Sequence, residues 1–274
     1  MKRYLTPIVA TCTALAVVAF VFVNGCKKET TDTETTSATD NNICEGEFMR
    51  LLPTVNKIAI DEPGVHRLGN GNQVASACPT VTVNTPNQFP LVMTIDYGSG
   101  CSDPIDGKIR KGKIRVSMDR QWDSTGCVVT MSLDTFFVGA VQYEGTMSLT
   151  RTAPNAFHQV ITNGKCTKNT GDPWTILYGS DRTITFTSGS NNSSVAQVIT
   201  VDGTCNGTDR NGVTYTGTIT SPIVRDLTCT WITKGTFDLT PSGKSTRTID
   251  FGNGDCDNKG TIKIDGNTFE FTMN

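Results

Sequence analysis

Gly260-Thr-Ile-Lys-Ile-Asp-Gly-Asn-Thr-Phe-Glu-Phe-Thr-Met273 decides how this chain folds. Apolar and polar residues alternate on both sides of Asp265-Gly266-Asn267, so each arm is a strand with one face toward a core. Asp-Gly supplies the left-handed backbone of a tight turn, which makes the arms an antiparallel hairpin. The same period of two recurs in Leu91–Tyr97, Lys113–Met118, Val128–Leu133, Arg182–Thr187 and Val213–Ile219. Threonine, present 44 times, fills many of the polar positions, as suits a β-branched residue on a solvated strand face. Strands at short spacing, divided by Gly, Asn and Asp, predict a mainly β fold. We expect an antiparallel meander of about 12 strands, forming a sandwich, an open barrel or a curved sheet.

One short N-terminal helix precedes the strands. Asn42 can cap a turn before Glu45, Phe48, Leu51, Leu52, Val55 and Ile58, a stripe of helical period. Pro53 calls for a kink or a place in the first turn.

An internal repeat extends the pattern. Cys78 to Cys101 and Cys229 to Cys256 each pass a Pro-containing turn, reach Thr-Ile-Asp-aromatic-Gly, and close on Cys. Gly107–Val116 then parallels Gly260–Phe271, so the units span about residues 74–118 and 225–273. No linker interrupts 44–274, which reads as a single β-rich domain.

The N-terminus is a targeting segment. Lys2 and Arg3 precede an apolar run, Ile8 to Val23, shorter than the ~20 residues that span a bilayer. Val23-Asn24-Gly25-Cys26 resembles a bacterial lipobox. That resemblance implies a leader over 1–25 and a Cys26 carrying lipid, which anchors the chain to a membrane. Residues 26–43, rich in Thr and without apolar periodicity, read as a disordered tether. Cys26-Lys27-Lys28-Glu29 partly resembles the surface-export signal of Bacteroidota lipoproteins, and surface-facing and periplasm-facing placements both stay open.

Eight further cysteines remain: Cys44, Cys78, Cys101, Cys127, Cys166, Cys205, Cys229 and Cys256. No pair has CxxC spacing and no His stands near one, so disulfides fit an exported chain better than a metal site. The repeat pairs Cys78 with Cys101 and Cys229 with Cys256. A weaker likeness between Gln159–Cys166 and Gln197–Cys205 suggests Cys166–Cys205, leaving Cys44 with Cys127.

The chain carries 24 Lys+Arg against 26 Asp+Glu, and only 18% of it is charged. A nucleic-acid binder shows a basic excess, so that class is set aside. Two histidines, His66 and His158, read as surface or partly packed residues. No GxSxG, SxxK or HExxH motif is present. Two weak site candidates remain. Asp250, Asp255 and Asp257, with Asp96 and Asp103 of the other repeat unit, could ligate Ca2+; an EF-hand is excluded because Lys259 occupies a ligand slot and Gly266 stands where the closing Glu belongs. Alternatively these Asp side chains accept turn amides. Trp174 and Tyr178 form the densest aromatic group and could stack on a sugar, although aromatics on β proteins usually pack.

The lipobox, the polar tether, the early helix and the C-terminal strands from Ile249 to Thr261 and Phe269 to Phe271 together resemble uncharacterised β-rich lipoproteins of Bacteroidota. The resemblance covers most of the chain after the leader. It implies an outer-membrane lipoprotein of the cell envelope and carries over no catalytic residue. The expected role is a non-catalytic binding or interaction module, with no cofactor beyond a possible Ca2+ and with a glycan or an envelope protein as partner. The alternatives are a periplasmic envelope-assembly scaffold and a hydrolase with an unrecognised carboxylate site.

Overall fold

Among the described residues fourteen strands follow one another in sequence and nearly all of them in space. The computed structural model describes residues 32–61, 78–84, 88–103, 106–188 and 198–273, and in the helix the side chains as far as Val55 and that of Lys57. The leader, Cys26, residues 27–31, His66 and the first residues of the N-terminal repeat unit lie outside them. The helix α1 (Thr36–Asp61) comes first, followed by β1 (Thr80–Val83), β2 (Leu91–Asp96), β3 (Cys101–Ser102) and β4 (Ile109–Met118). Next come β5 (Val128–Val138), β6 (Val141–Ala153), β7 (Ala156–Lys168), β8 (Trp174–Ser188) and β9 (Val198–Thr208). The chain ends with β10 (Thr214–Asp226), β11 (Lys234–Pro241), β12 (Arg247–Asn253), β13 (Lys259–Ile264) and β14 (Asn267–Thr272). Every pairing is antiparallel, the order is sequential from β1 to β14 with β3 set beside β4, and the sheet does not close.

Alternation sets the two faces. Tyr215 and Ile219 of β10 are buried, whereas Thr214, Thr216, Thr218 and Thr220, which alternate with the inward positions, are exposed. Bulges then bend the sheet. The β4–β5 register slips between Lys111 and Lys113, where Gly112 has φ +86° and a Cβ would lie 2.0 Å from the Thr135 carbonyl oxygen. Further slips fall between Ser132 and Phe136, Ile161 and Gly164, and Thr218 and Ile223. Repeated along successive strands, they curl the sheet around α1.

The partners of α1 trace that curl. Successive helical residues point about 100° apart, and they reach strands on different sides. Cys44 is bonded to Cys166 of β7. Glu45 meets Arg182 of β8, Glu47 meets Arg110 of β4, and Arg50 donates to the Thr230 carbonyl after β10. Phe48 stacks on Tyr178 of β8 at 5.6 Å and meets Tyr143 of β6 edge-on at 6.2 Å. Only Thr36, Thr39, Ile43 and Gly46 are part-exposed along the helix before Arg50. Their spacing puts them on one stripe, the face left by the open side of the sheet.

Two expectations about the helix are corrected. It starts at Thr36 rather than at an Asn42 cap, and Asn42 is buried inside it. The described chain is therefore ordered from Asp32, so the tether expected over 26–43 cannot extend past residue 31. The cause is tertiary. Arg247 of β12 donates to the Glu34 carbonyl at 3.0 Å and pairs with Asp32 at 2.7 Å, while Lys244 holds Glu34 at 2.9 Å. Beyond that anchor Ser37 donates to Asp209 at 2.6 Å, and Asp40 accepts the Arg210 amide at 2.8 Å. Polar residues that alone would favour caps and turns thus find partners in the wrapping strands. Pro53 is accommodated within the helix.

The expected bridges Cys78–Cys101 and Cys229–Cys256 are present, with Cα separations of 6.2 and 5.8 Å. The other two expected pairs are corrected. Cys44 joins Cys166 at a Cα separation of 6.4 Å, and Cys127 and Cys205 are free and buried. Cys166 and Cys205 stand on strands separated by β8, and the inward helix puts Cys44 beside the former. The repeat units form the two ends of the sheet. Their likeness breaks down after the second cysteine. Gly107–Val116 makes one bulged strand, whereas Gly260–Phe271 makes a hairpin turning at Asp265-Gly266, where φ is +48° and +84°.

Candidate functional site

The C-terminal end of the sheet carries an open groove of about 680 Å³. Its geometry follows from the last hairpin. Asp250 of β12 stands opposite Thr261 of β13, and Thr261 stands opposite Glu270 of β14. The three side chains form a cross-strand row on the outer face. Asp255, Asp257 and Lys259 line the same groove from the β12–β13 loop and the start of β13. The Cys229–Cys256 bridge ties that loop to the β10–β11 connection. Beneath it Phe251 and Phe271 meet edge-on at 6.2 Å. Gly260 lets the Phe271 ring lie over the backbone, since a Cβ there would be 2.4 Å from the ring.

The groove borders a free strand edge. Met273 donates to the Asn258 carbonyl at 2.8 Å, and with the two-residue turn this fixes which residues of β14 bond to β13. Asn267, Phe269 and Phe271 do so, and the backbone groups of Thr268, Glu270 and Thr272 point away. Among the described residues no strand pairs with that side of β14.

The five expected metal-ligating aspartates are not brought together. Asp250, Asp255 and Asp257 share the groove, and Asp96 and Asp103 lie at the other end of the sheet. Asp96 accepts the Gly98 amide at 2.8 Å and pairs with Lys113 at 2.8 Å; Lys113 and then the amide hold its carboxyl below the usual range. Asp250 accepts the Gly252 amide at 2.9 Å, and Asp257 the Lys259 amide at 3.0 Å. Asp103 is buried, accepts the Tyr97 hydroxyl at 2.6 Å and faces Arg110 at 3.3 Å. Among the described residues no group of three or more His, Cys, Asp or Glu is placed to hold a metal ion. The turn-amide role anticipated for these side chains is what three of them perform.

The aromatic pair also separates. Trp174 and Tyr178 share the inward face of β8, as an i, i+4 spacing on a strand requires. Tyr178 is buried against Phe48, while Trp174 sits at the rim under the Arg210 guanidinium, 4.9 Å from its ring centre. Trp122 is buried and stacked on Phe157 at 5.5 Å. His158 pairs with Asp181 at 2.7 Å on the outer face.

A second constellation, invisible in the sequence, fills the interior. Arg182 is 1% exposed and its Nη2 donates to both Glu45 oxygens at 2.7 Å. Arg110 donates to Glu47 at 2.8 Å and to Asp106 at 2.6 Å, and Arg50 donates to Asp106 at 2.8 Å. Burial alone would raise the Asp106 carboxyl; the Arg110 hydrogen bond and charge outweigh it and hold it down at about 2. The free thiol of Cys127 is pushed up to about 11 by burial and by Asp119, which suppresses its reactivity. Comparison with protein families, curated proteins and solved structures yields no match.

Proposed function

We propose that the chain is an outer-membrane lipoprotein of the cell envelope, anchored through Cys26, whose β domain is a non-catalytic interaction module. Its partner is an extended, basic segment of an envelope protein that adds to β14. The observation that carries this reading is the outward backbone of Thr268, Glu270 and Thr272 beside the Asp250–Thr261–Glu270 row. Unpaired N–H and C=O groups favour an added strand, and carboxylates along the groove favour Lys or Arg side chains on it. The interior carboxylates Glu45, Glu47 and Asp106 are engaged by arginines, which supports binding over hydrolysis.

Hydrogen exchange on the full-length protein in detergent tests this. The probe is a peptide of alternating valine and lysine, with alternating valine and glutamate as control. Slower exchange at Thr268, Glu270 and Thr272 with the lysine peptide alone is expected, and Glu270→Lys should weaken it. No slowing with either peptide rejects the edge reading. Slowing that grows with protein concentration and needs no peptide favours the scaffold alternative, in which a second copy adds to the same edge. Protease shaving of intact cells reports the leaflet: loss of signal means surface-facing, and survival until the outer membrane is broken means periplasmic.

A further inference from the structure

Where α1 passes the β3–β4 and β10–β11 turns, a small cavity of about 10 Å³ remains, lined by Arg50, Asp103, Asp106, Arg110, Arg225 and Thr230 among others. That volume admits one water-sized occupant. Its walls are strongly charged and unevenly satisfied. Arg110 holds Glu47 at 2.8 Å, Asp106 at 2.6 Å and Asp103 at 3.3 Å. Arg50 holds Asp106 at 2.8 Å and the Thr230 carbonyl at 2.5 Å. Arg225 is 4% exposed, and its one hydrogen bond runs from Nη2 to the Thr230 carbonyl at 3.3 Å. Among the described residues the Nε atoms of Arg225 and Arg50 are buried without a hydrogen-bond partner, that of Arg50 facing the Glu47 carboxylate at 4.0 Å.

Lys108 completes the charge count. It is part-buried, and its charge is felt among Arg50, Glu47, Asp106 and Arg110. Among the described residues four cations, Arg50, Lys108, Arg110 and Arg225, thus stand against three carboxylates, Glu47, Asp103 and Asp106. The imbalance falls on Arg225, whose pKa is drawn down to about 9 by burial first and by Arg50 next. A guanidinium keeps its proton in proteins, and a buried charge without a counter-charge is costly.

We propose that the cavity binds one small monovalent anion of chloride size between Arg225 and Arg50. The ion supplies the missing negative charge and accepts from the unpartnered guanidinium nitrogens. It also ties α1 to β10 beside the two turns that grip Arg50. A bulky or polyatomic anion is excluded by the size of the cavity.

Thermal unfolding of the full-length protein in detergent, in sodium chloride against sodium gluconate at equal ionic strength, tests the site. Gluconate is too large to enter, so chloride should raise the midpoint saturably, by about 3–5 °C at ten times its dissociation constant. Arg225→Met should abolish the increment, and Lys108→Met should shift saturation to higher chloride. Equal midpoints in the two salts, or an unchanged increment in Arg225→Met, overturn the proposal. Should Arg225→Met not fold, bromide-soaked crystals of the unaltered protein decide. An anomalous peak within hydrogen-bond distance of Arg225 supports the site, and an ordered water alone rejects it.

Discussion

At the scale of residues, the interior arginines decide both stability and what could be read beforehand. Among the described residues Arg182 pairs with no carboxylate but Glu45. Glu45→Leu therefore strands a buried cation and should lower unfolding free energy by about 3–5 kcal/mol. The double variant Glu45→Leu/Arg182→Met should recover most of that loss, because an apolar pair of similar volume needs no counter-charge. Denaturant melts of both variants measure it, and equal losses would show that the pair acts through packing alone. Asp106 gives a pH test. Its carboxyl lies near 2 in the fold against 3.8 when unperturbed, so the unfolded chain binds the proton first as pH falls. Its contribution is complete above about pH 4 and is lost on descending through about pH 2. Asp106→Asn should thus be less stable than the unaltered protein near neutrality, and the gap should narrow across that acid window. None of these pairs was legible in the sequence, since Glu45 and Arg182 lie 137 positions apart and nothing local links them.

At the scale of elements, what was legible is what local chemistry dictates. Alternation in Leu91–Tyr97 and Asp-Gly at 265–266 need only their own neighbours, so strands and hairpin could be placed from sequence. The repeat likewise revealed the two short-range disulfides. The start of α1 could not be read, because Thr36 to Asn42 become helical through Asp209, Arg210 and Arg247. Cys44–Cys166 could not be read because its loop of 122 residues closes only after the sheet has curled. In the groove, Asp250, Asp255 and Asp257 were noticed; Glu270 was missed, although counting the hairpin register back from Gly266 would have placed it beside Thr261. Closing so long a loop makes Cys44–Cys166 the strongest staple on chain-entropy grounds. Cys44→Ala/Cys166→Ala should cost about 4–5 kcal/mol, measurable by denaturant unfolding under non-reducing conditions. Curvature has its own test. Gly112→Ala sets a Cβ against the Thr135 carbonyl at a left-handed φ. It should destabilise by at least about 1–3 kcal/mol, whereas the same change at Gly98, with open space around its Cβ position, should cost less.

At the scale of the whole molecule, the fold is a long sheet held in the middle by its helix and clipped separately at its two ends. Strands β4 and β6 to β8 face α1 through Arg110, Tyr143, Cys166 and Arg182. Among the described residues β1 and β14 each have one paired neighbour, and the two ends are clipped by local disulfides closing spans of 23 and 27 residues. Such a molecule should not open as one unit. Regions with few buried contacts and free edges exchange by local opening, and the densely packed middle exchanges only on global unfolding. Amides of β6 to β9 should therefore be the slowest in native-state hydrogen exchange, and those of β1, β13 and β14 the fastest. Mild reduction sharpens the test. The end bridges, with Cys256 exposed and Cys78 and Cys101 half-buried, should open before Cys44–Cys166, whose two cysteines are fully buried. Protection should then fall first in β1–β2 and in β11–β14 while β6 to β9 stay protected. Simultaneous loss across all strands would instead mean a single cooperative unit. The division matters for binding, because a free edge that loosens independently of the middle can accept a partner strand without disturbing the charged interior around α1.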